Sequence, residues 1–117
     1  MSKRVVIYHN PRCTTSCKAL GLIREKGIEP EVIEYLKTPL SREELEQLAE
    51  KSGLKPQELL RKKEKEYKEL GLDSADTTAG QALDAMAAHP VLMERPVVLA
   101  GQKGVLARPA EKVLEIL

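Results

Sequence analysis

Phenylalanine and tryptophan are absent from this 117-residue chain, and Tyr8, Tyr35 and Tyr67 are its only aromatic residues. A surface that stacks nucleobases needs more than that. No apolar run approaches the length needed to span a bilayer. An excess of one charge is missing as well: 19 Lys and Arg against 18 Asp and Glu leave a formal charge of +1. That balance gives no pull toward nucleic acid or an anionic membrane. The opening residues MSKRVVIYHN pass from two basic side chains straight into a strand-like run, without the apolar stretch and small-residue cleavage site of a secretory signal. The expectation is a cytoplasmic protein with no membrane or nucleic-acid partner. Cysteine is scarce too, and in a reducing compartment the two present serve chemistry or burial rather than stapling. What is plentiful is an ordinary globular mixture, 42% apolar and 32% charged, enough for one domain with its own core.

The punctuation along the chain divides it into elements. Arg4 to Tyr8 is a β-rich run that Asn10-Pro11 breaks. From Cys13 to Lys26 the pattern is helical, with Ala19, Leu20 and Ile23 inward and Gly27 as the stop. Glu31 to Leu36 reads as a second strand, so the first 36 residues form a βαβ unit whose strands are parallel. Ser41-Arg42-Glu43-Glu44 opens a helix that ends at Gly53, and a helix starting at Pro56 runs on through Tyr67 to Gly71. Thr78 to Gln81 caps another, which Pro90 ends. Pro96 to Ala100 and Val105 to Arg108 read as a hairpin across Gly101 to Gly104, and Pro109 starts a final helix with Val113, Leu114 and Leu117 apolar. This order predicts an α/β, thioredoxin-like sheet, β-α-β then β-β-α, with an inserted helical segment. One domain spans 1–117, its core formed by 1–37 and 91–117 and its insertion by 38–90.

Both cysteines lie in YHNPRCTTSC, where the first strand gives way to the first helix. At that junction Cys13 faces unpaired backbone N–H groups and the positive end of the helix dipole. Both stabilise negative charge, and the thiolate is the nucleophile. The N–H groups of residues 14 to 16, with the hydroxyls of Thr14, Thr15 and Ser16, could cradle an oxyanion, while His9 and Arg12 add proton-carrying and positive character. Other uses of the stretch fail on spacing. A tyrosine-phosphatase loop requires an arginine where Ala19 stands. A Cys-x-x-Cys pair requires cysteine where Ser16 stands. Zinc requires about four ligands, and only His9 and His89 could join the cysteines, so no metal is expected. Cys17 stays open between two readings: packing on the sheet beside Leu20 and Gly21, or pairing with Cys13 across about 6 Å of Cα separation.

Two arginines, Arg95 and Arg108, stand directly before prolines at the ends of the hairpin strands. A thioredoxin-like fold places a cis-proline ahead of its third strand, which predicts a cis peptide at Pro96. Arg95, Arg108 and Arg61 from the insertion would then converge near Cys13, three planar, permanently charged forks suited to a tetrahedral oxyanion.

The segments IYHNPRCTTS, YLKTPLSREEL, ELLRKKE, HPVLMERPVV and ARPAEKVLEIL resemble the glutaredoxin-linked arsenate reductases, in particular their short members, over nearly the whole chain. The resemblance implies arsenate reduction with Cys13 as nucleophile, His9 helping to hold the thiolate and Ser16 ordering the loop. It makes Arg61, Arg95 and Arg108 the arsenate and arsenite ligands. Glutathione would be co-substrate and glutaredoxin the partner that clears the mixed disulfide, with no bound cofactor. One departure is Cys17, where the family pattern carries arginine. It is a candidate resolving thiol that would bring in thioredoxin as reductant. Two rival readings remain: a redox-sensing regulator of the same fold that binds RNA polymerase, and a general thiol oxidoreductase using a Cys13–Cys17 disulfide.

Overall fold

The structure, a computed structural model, describes residues 4–117; residues 1–3, which open both the expected leader-free N-terminus and the 1–37 core segment, lie outside it. Val5–Tyr8 forms β1, and every residue of it is buried, as expected for a strand covered on both sides. The side chains alternate: Val5 and Ile7 join one apolar cluster, Val6 and Tyr8 the other. β1 pairs in parallel with β2 (Glu31–Ile33) and antiparallel with β3 (Val97–Ala100), which pairs antiparallel with β4 (Lys103–Leu106). The resulting order, β2-β1-β3-β4, is the thioredoxin-like arrangement.

One face of the sheet is covered by α1 (Thr14–Glu25) and the C-terminal segment, through Ala19, Ile23, Ala110, Val113 and Ile116. The other is covered by α2 (Arg42–Lys51) and α4 (Ala79–Ala88), through Leu45, Leu48, Ala82, Leu83 and Met86. Both helices on that second face start from full capping boxes. The Glu44 N–H donates to Ser41 Oγ at 3.2 Å while the Ser41 N–H donates to Glu44 Oε1, and Thr78 and Gln81 repeat the pattern.

Four expectations are corrected by the structure. The second strand stops at Ile33, because the chain turns at Glu34, whose carbonyl accepts from Lys37 and Thr38 N–H. The long helix from Pro56 to Gly71 does not form. Pro56–Leu59 is a single 3-10 turn, Leu60 is extended, and only Lys65–Glu69 returns to helix as α3. Leu59 and Leu60 are adjacent in sequence and both buried, at 0% and 3% exposure, and an extended backbone sends neighbouring side chains to opposite sides. The freed backbone pairs with the segment before β3: Arg61 N–H donates to Leu92 O at 2.6 Å and Glu94 N–H to Leu59 O at 2.7 Å.

The hairpin turn is shorter than expected. Gly101 and Gln102 alone make it, with Gly101 at φ +63°, and the strand resumes at Lys103. Gly104 is a strand residue rather than a turn residue. A Cβ there would come within 2.7 Å of Leu99 Cδ2, 2.9 Å of Ser52 Oγ and 3.3 Å of the Lys51 carbonyl carbon, so its missing side chain admits the end of α2. The final segment, Ala110–Glu115, is a 3-10 helix. Its buried residues, Ala110, Val113 and Ile116, repeat every three positions as that helix requires, which leaves Leu114 exposed.

Substituting Ile23→Ala removes a fully buried anchor of α1 and is expected to cost about 2–5 kcal/mol in urea unfolding. Leu114→Ala is expected to stay within about 0.5 kcal/mol. A Leu114 cost equal to that of Ile23 would refute the three-residue period assigned to the C-terminal helix.

Candidate active site

The parallel strands β1 and β2 end at the same edge of the sheet, and the ladder is extended by His9 N–H donating to Ile33 O at 2.8 Å. Open α/β sheets place their sites at this carboxyl edge. Asn10-Pro11 turns the chain, and Cys13 becomes the N-cap of α1 with extended backbone (φ −97°, ψ 119°). Its carbonyl accepts the first helical bond, from Cys17 N–H at 3.0 Å, and its N–H donates to Asn10 O at 3.0 Å. The backbone N–H groups of Thr14, Thr15 and Ser16 are therefore the free donors of the first turn, and no acidic side chain lies in that turn. Cys13 is half-buried; Thr14 is exposed and Thr15 half-buried.

Ser16 is completely buried. Its Oγ lies 2.6 Å from His9 Nδ1 and accepts from Asn10 N–H at 3.1 Å, so it fastens the strand end, the loop and the helix to one another. Among the described residues no hydrogen bond joins His9 to Cys13, and His9 meets the site through Ser16. Burial pushes the His9 imidazole below its ordinary value, with Glu34 opposing and Arg24 assisting, so the ring is neutral at neutral pH.

Cys17 neither packs on the sheet nor pairs with Cys13. Both thiols are free, Cys17 is exposed, and its Sγ donates to Pro11 O at 3.3 Å. A helical side chain leans toward the N-terminus, which carries this thiol out over the loop rather than down onto the strands.

The arginines are gathered by backbone pairing. Bonds between residues 59–61 and 92–94 set Arg61 opposite Leu92 and Leu59 opposite Glu94, which joins the chain before Arg61 to the chain before Arg95. Arg108 Nη1 donates to Arg95 O at 2.9 Å, and its Nε lies 3.7 Å from Glu94 Oε2. Both Arg95–Pro96 and Arg108–Pro109 are cis; the second was not expected from the sequence. Arg95 is buried at 9% exposure, and its Nε has no hydrogen-bond partner among the described residues.

Tyr35 is a buried residue at this sheet edge that sequence reasoning missed. It is 1% exposed, beside the Asn10 side chain, and it senses the charges of Cys13, Arg61 and Glu94. Burial, the largest influence, pushes its phenol up to about 12, so it is a neutral donor near the thiol. The available signal was its position two residues past β2, at the same sheet edge as Cys13. Glu94 was also missed, although it directly precedes Arg95.

Ser16→Ala leaves His9 Nδ1 and the Asn10 N–H without their partner and is expected to cost about 1–3 kcal/mol in urea unfolding. A loss below a few tenths of a kcal/mol would mean that the loop does not depend on this hydroxyl. The depressed His9 value fixes a sign as well. Its contribution to stability is complete above the ordinary imidazole value of about 6.5 and is lost as pH falls through the lower folded value. A pH series of unfolding free energies is expected to show this acid-side decline in the parent chain and a shallower one in His9→Gln.

No helix among the described residues is long and apolar enough to cross a membrane. Residues 8–116 match the model of the ArsC family. An arsenate reductase of Rhizobium meliloti (strain 1021) is 48% identical over 113 residues, which cover 97% of this chain and 81% of that protein. The uncharacterized protein YfgD of Escherichia coli (strain K12) is 46% identical over 118 residues, covering 100% of this chain and 99% of its own length. Among solved structures, the arsenate reductase from Vibrio cholerae superposes with a TM-score of 0.95 at 44% identity, over the full length of both chains. A sheet-edge cysteine at a helix start, a buried arginine before a cis-proline and this full-length likeness agree: the chain belongs to the ArsC family.

Proposed function

We infer that this protein is an arsenate reductase that works through the single thiol of Cys13. The observation that carries the reading is the meeting of two structures at one sheet edge. These are the free N–H donors at the start of α1 and the arginine group formed by the 59–61 and 92–95 segments with Arg108. A thiolate attacking an oxyanion needs both: a nucleophile held at a positive helix end, and fixed cations for the charge carried by the oxygens.

The reaction balances as follows. Cys13 sulfur bonds to arsenic, and an arsenate oxygen leaves as water after protonation. Glutathione thiol then attacks the Cys13 sulfur, two electrons pass to arsenic, and arsenite departs. The two sulfurs that lost those electrons remain as a Cys13–glutathione disulfide, which glutaredoxin reduces. Arg61, Arg95 and Arg108 hold the oxygens throughout, Thr14 and Thr15 line the first turn, and Ser16 and His9 keep the loop in register. The glutathione supply assigns the reaction to the cytoplasm.

Arsenate-dependent NADPH consumption, coupled through glutathione, glutaredoxin and glutathione reductase, tests this reading. Cys13→Ser is expected to abolish turnover, and Cys17→Ser to keep it within about twofold, because the Cys17 thiol is directed at Pro11 O. Loss in both variants, or turnover only when thioredoxin replaces the glutathione system, would make Cys17 the resolving thiol. No arsenate-dependent turnover with either reductant would sink the assignment.

A further inference from the structure

The three arginines are not equally available. Arg61 Nε lies 3.3 Å from Glu64 Oε1, and Arg108 Nε lies 3.7 Å from Glu94 Oε2. Both glutamates are mostly covered, each 24% exposed at the side chain; Arg61 is 26% exposed and Arg108 41%, so water screens the Arg61 pair the less of the two. Glu64 directly precedes α3 yet makes no capping bond there, and its carboxylate turns back to Arg61 instead. Among the described residues Arg95 alone of the three has no carboxylate partner, and its buried Nε has no hydrogen-bond partner. The charge of this group of five side chains is therefore +1 rather than the +3 of the arginines alone. Of the five, Arg61 and Glu94 both act on the buried Tyr35 phenol, as does Cys13.

We infer that Glu64 and Glu94 are specificity-determining residues that set the charge the site accepts, so that it takes a singly charged tetrahedral oxyanion in preference to a doubly charged one. Each carboxylate occupies one arginine in the resting protein and repels an entering anion in proportion to that anion's charge. The inference rests on the oxyanion site proposed above and adds to it the ionisation state of the ligand. The chemistry needs a singly charged form in any case: an arsenate oxygen leaves as water only once protonated, and a site that selects the protonated ligand brings that proton with it.

Calorimetric titration tests this directly. The parent chain, Glu64→Gln, Glu94→Gln and the double variant are titrated with sulfate, which is doubly charged throughout, and with arsenate in mildly acidic solution, where it is singly charged. Removing one carboxylate while keeping its shape is expected to tighten sulfate binding on the order of tenfold. The singly charged arsenate is expected to tighten by only about threefold, half the logarithm, because Coulomb energy scales with ligand charge. The sign is diagnostic. Were the glutamates there only to orient the arginines, their loss would weaken both ligands. Weaker binding, unchanged binding, or equal tightening of the two ligands would overturn the inference. Arg95→Ala separates this from the underlying reading. If it abolishes binding while the glutamine variants do nothing, the oxyanion site stands and the charge filter falls; if it changes nothing, both fall.

Discussion

Where Cys13 sits depends on one buried hydroxyl. Ser16 Oγ bonds the His9 ring and the Asn10 N–H, and so ties the end of β1, the Asn10-Pro11 turn and the first turn of α1 into one piece. The chain has to reverse here from a strand buried on both faces into a helix lying on one of them, and such a turn leaves polar groups that must find partners. Placing serine at the third helical position supplies one oxygen to two of them without a larger side chain that the interface could not hold. The cost is that the His9 ring is kept neutral by its own burial. His9 is consequently a structural member of the loop, and the positive character near the thiol comes from the helix end and the arginines.

The second half of the site is fixed by backbone, not by side chains. Leu60 and Met93 form an isolated antiparallel bridge, with Leu59, Leu60, Leu92 and Met93 all buried around it. The apolar drive that buries these four residues is what breaks the helix expected from Pro56 onward, and the broken helix is what pairs the Arg61 backbone with Leu92, on the segment that leads to Arg95. Packing in the insertion and composition of the site are therefore the same event. A straight helix from Pro56 to Gly71 would satisfy its own hydrogen bonds and carry Arg61 away from the sheet edge.

The parts legible in the sequence were those with a local cause. The β-branched run of β1, the Asn-Pro break, the two capping boxes and the proline after Arg95 each signal through neighbours a few residues away, and the structure has all of them. The parts misread had distant causes. The extended conformation at Leu60 answers to Met93, Gly104 answers to Lys51 and Ser52, and the three-residue period of the last helix answers to the face of α1 it packs on. Tyr35 and Glu94 went unnoticed because neither carries a motif. Their importance comes from sharing a sheet edge with Cys13, which only the register of β1 against β2 and β3 brings about.

These two halves meet with their charges already partly balanced. Placing three guanidinium groups and a helix N-terminus at one edge of a small domain, with nothing between them, would concentrate positive charge in a region of low dielectric, where repulsion is strongest. Glu64 and Glu94 relieve that repulsion in the resting protein, Glu64 from the same short stretch of chain as Arg61 and Glu94 from the segment before β3, across from Arg108. Tyr35, held as a neutral phenol, adds a hydrogen-bond donor to the site without adding to its charge. The same arrangement limits what can enter. On the function proposed above, an anion has to outcompete two carboxylates that cannot diffuse away, while Arg95 is the one arginine of the three without a carboxylate partner among the described residues. The folding requirement that like charges be offset and the functional requirement that the ligand be of limited charge are thus met by the same two residues.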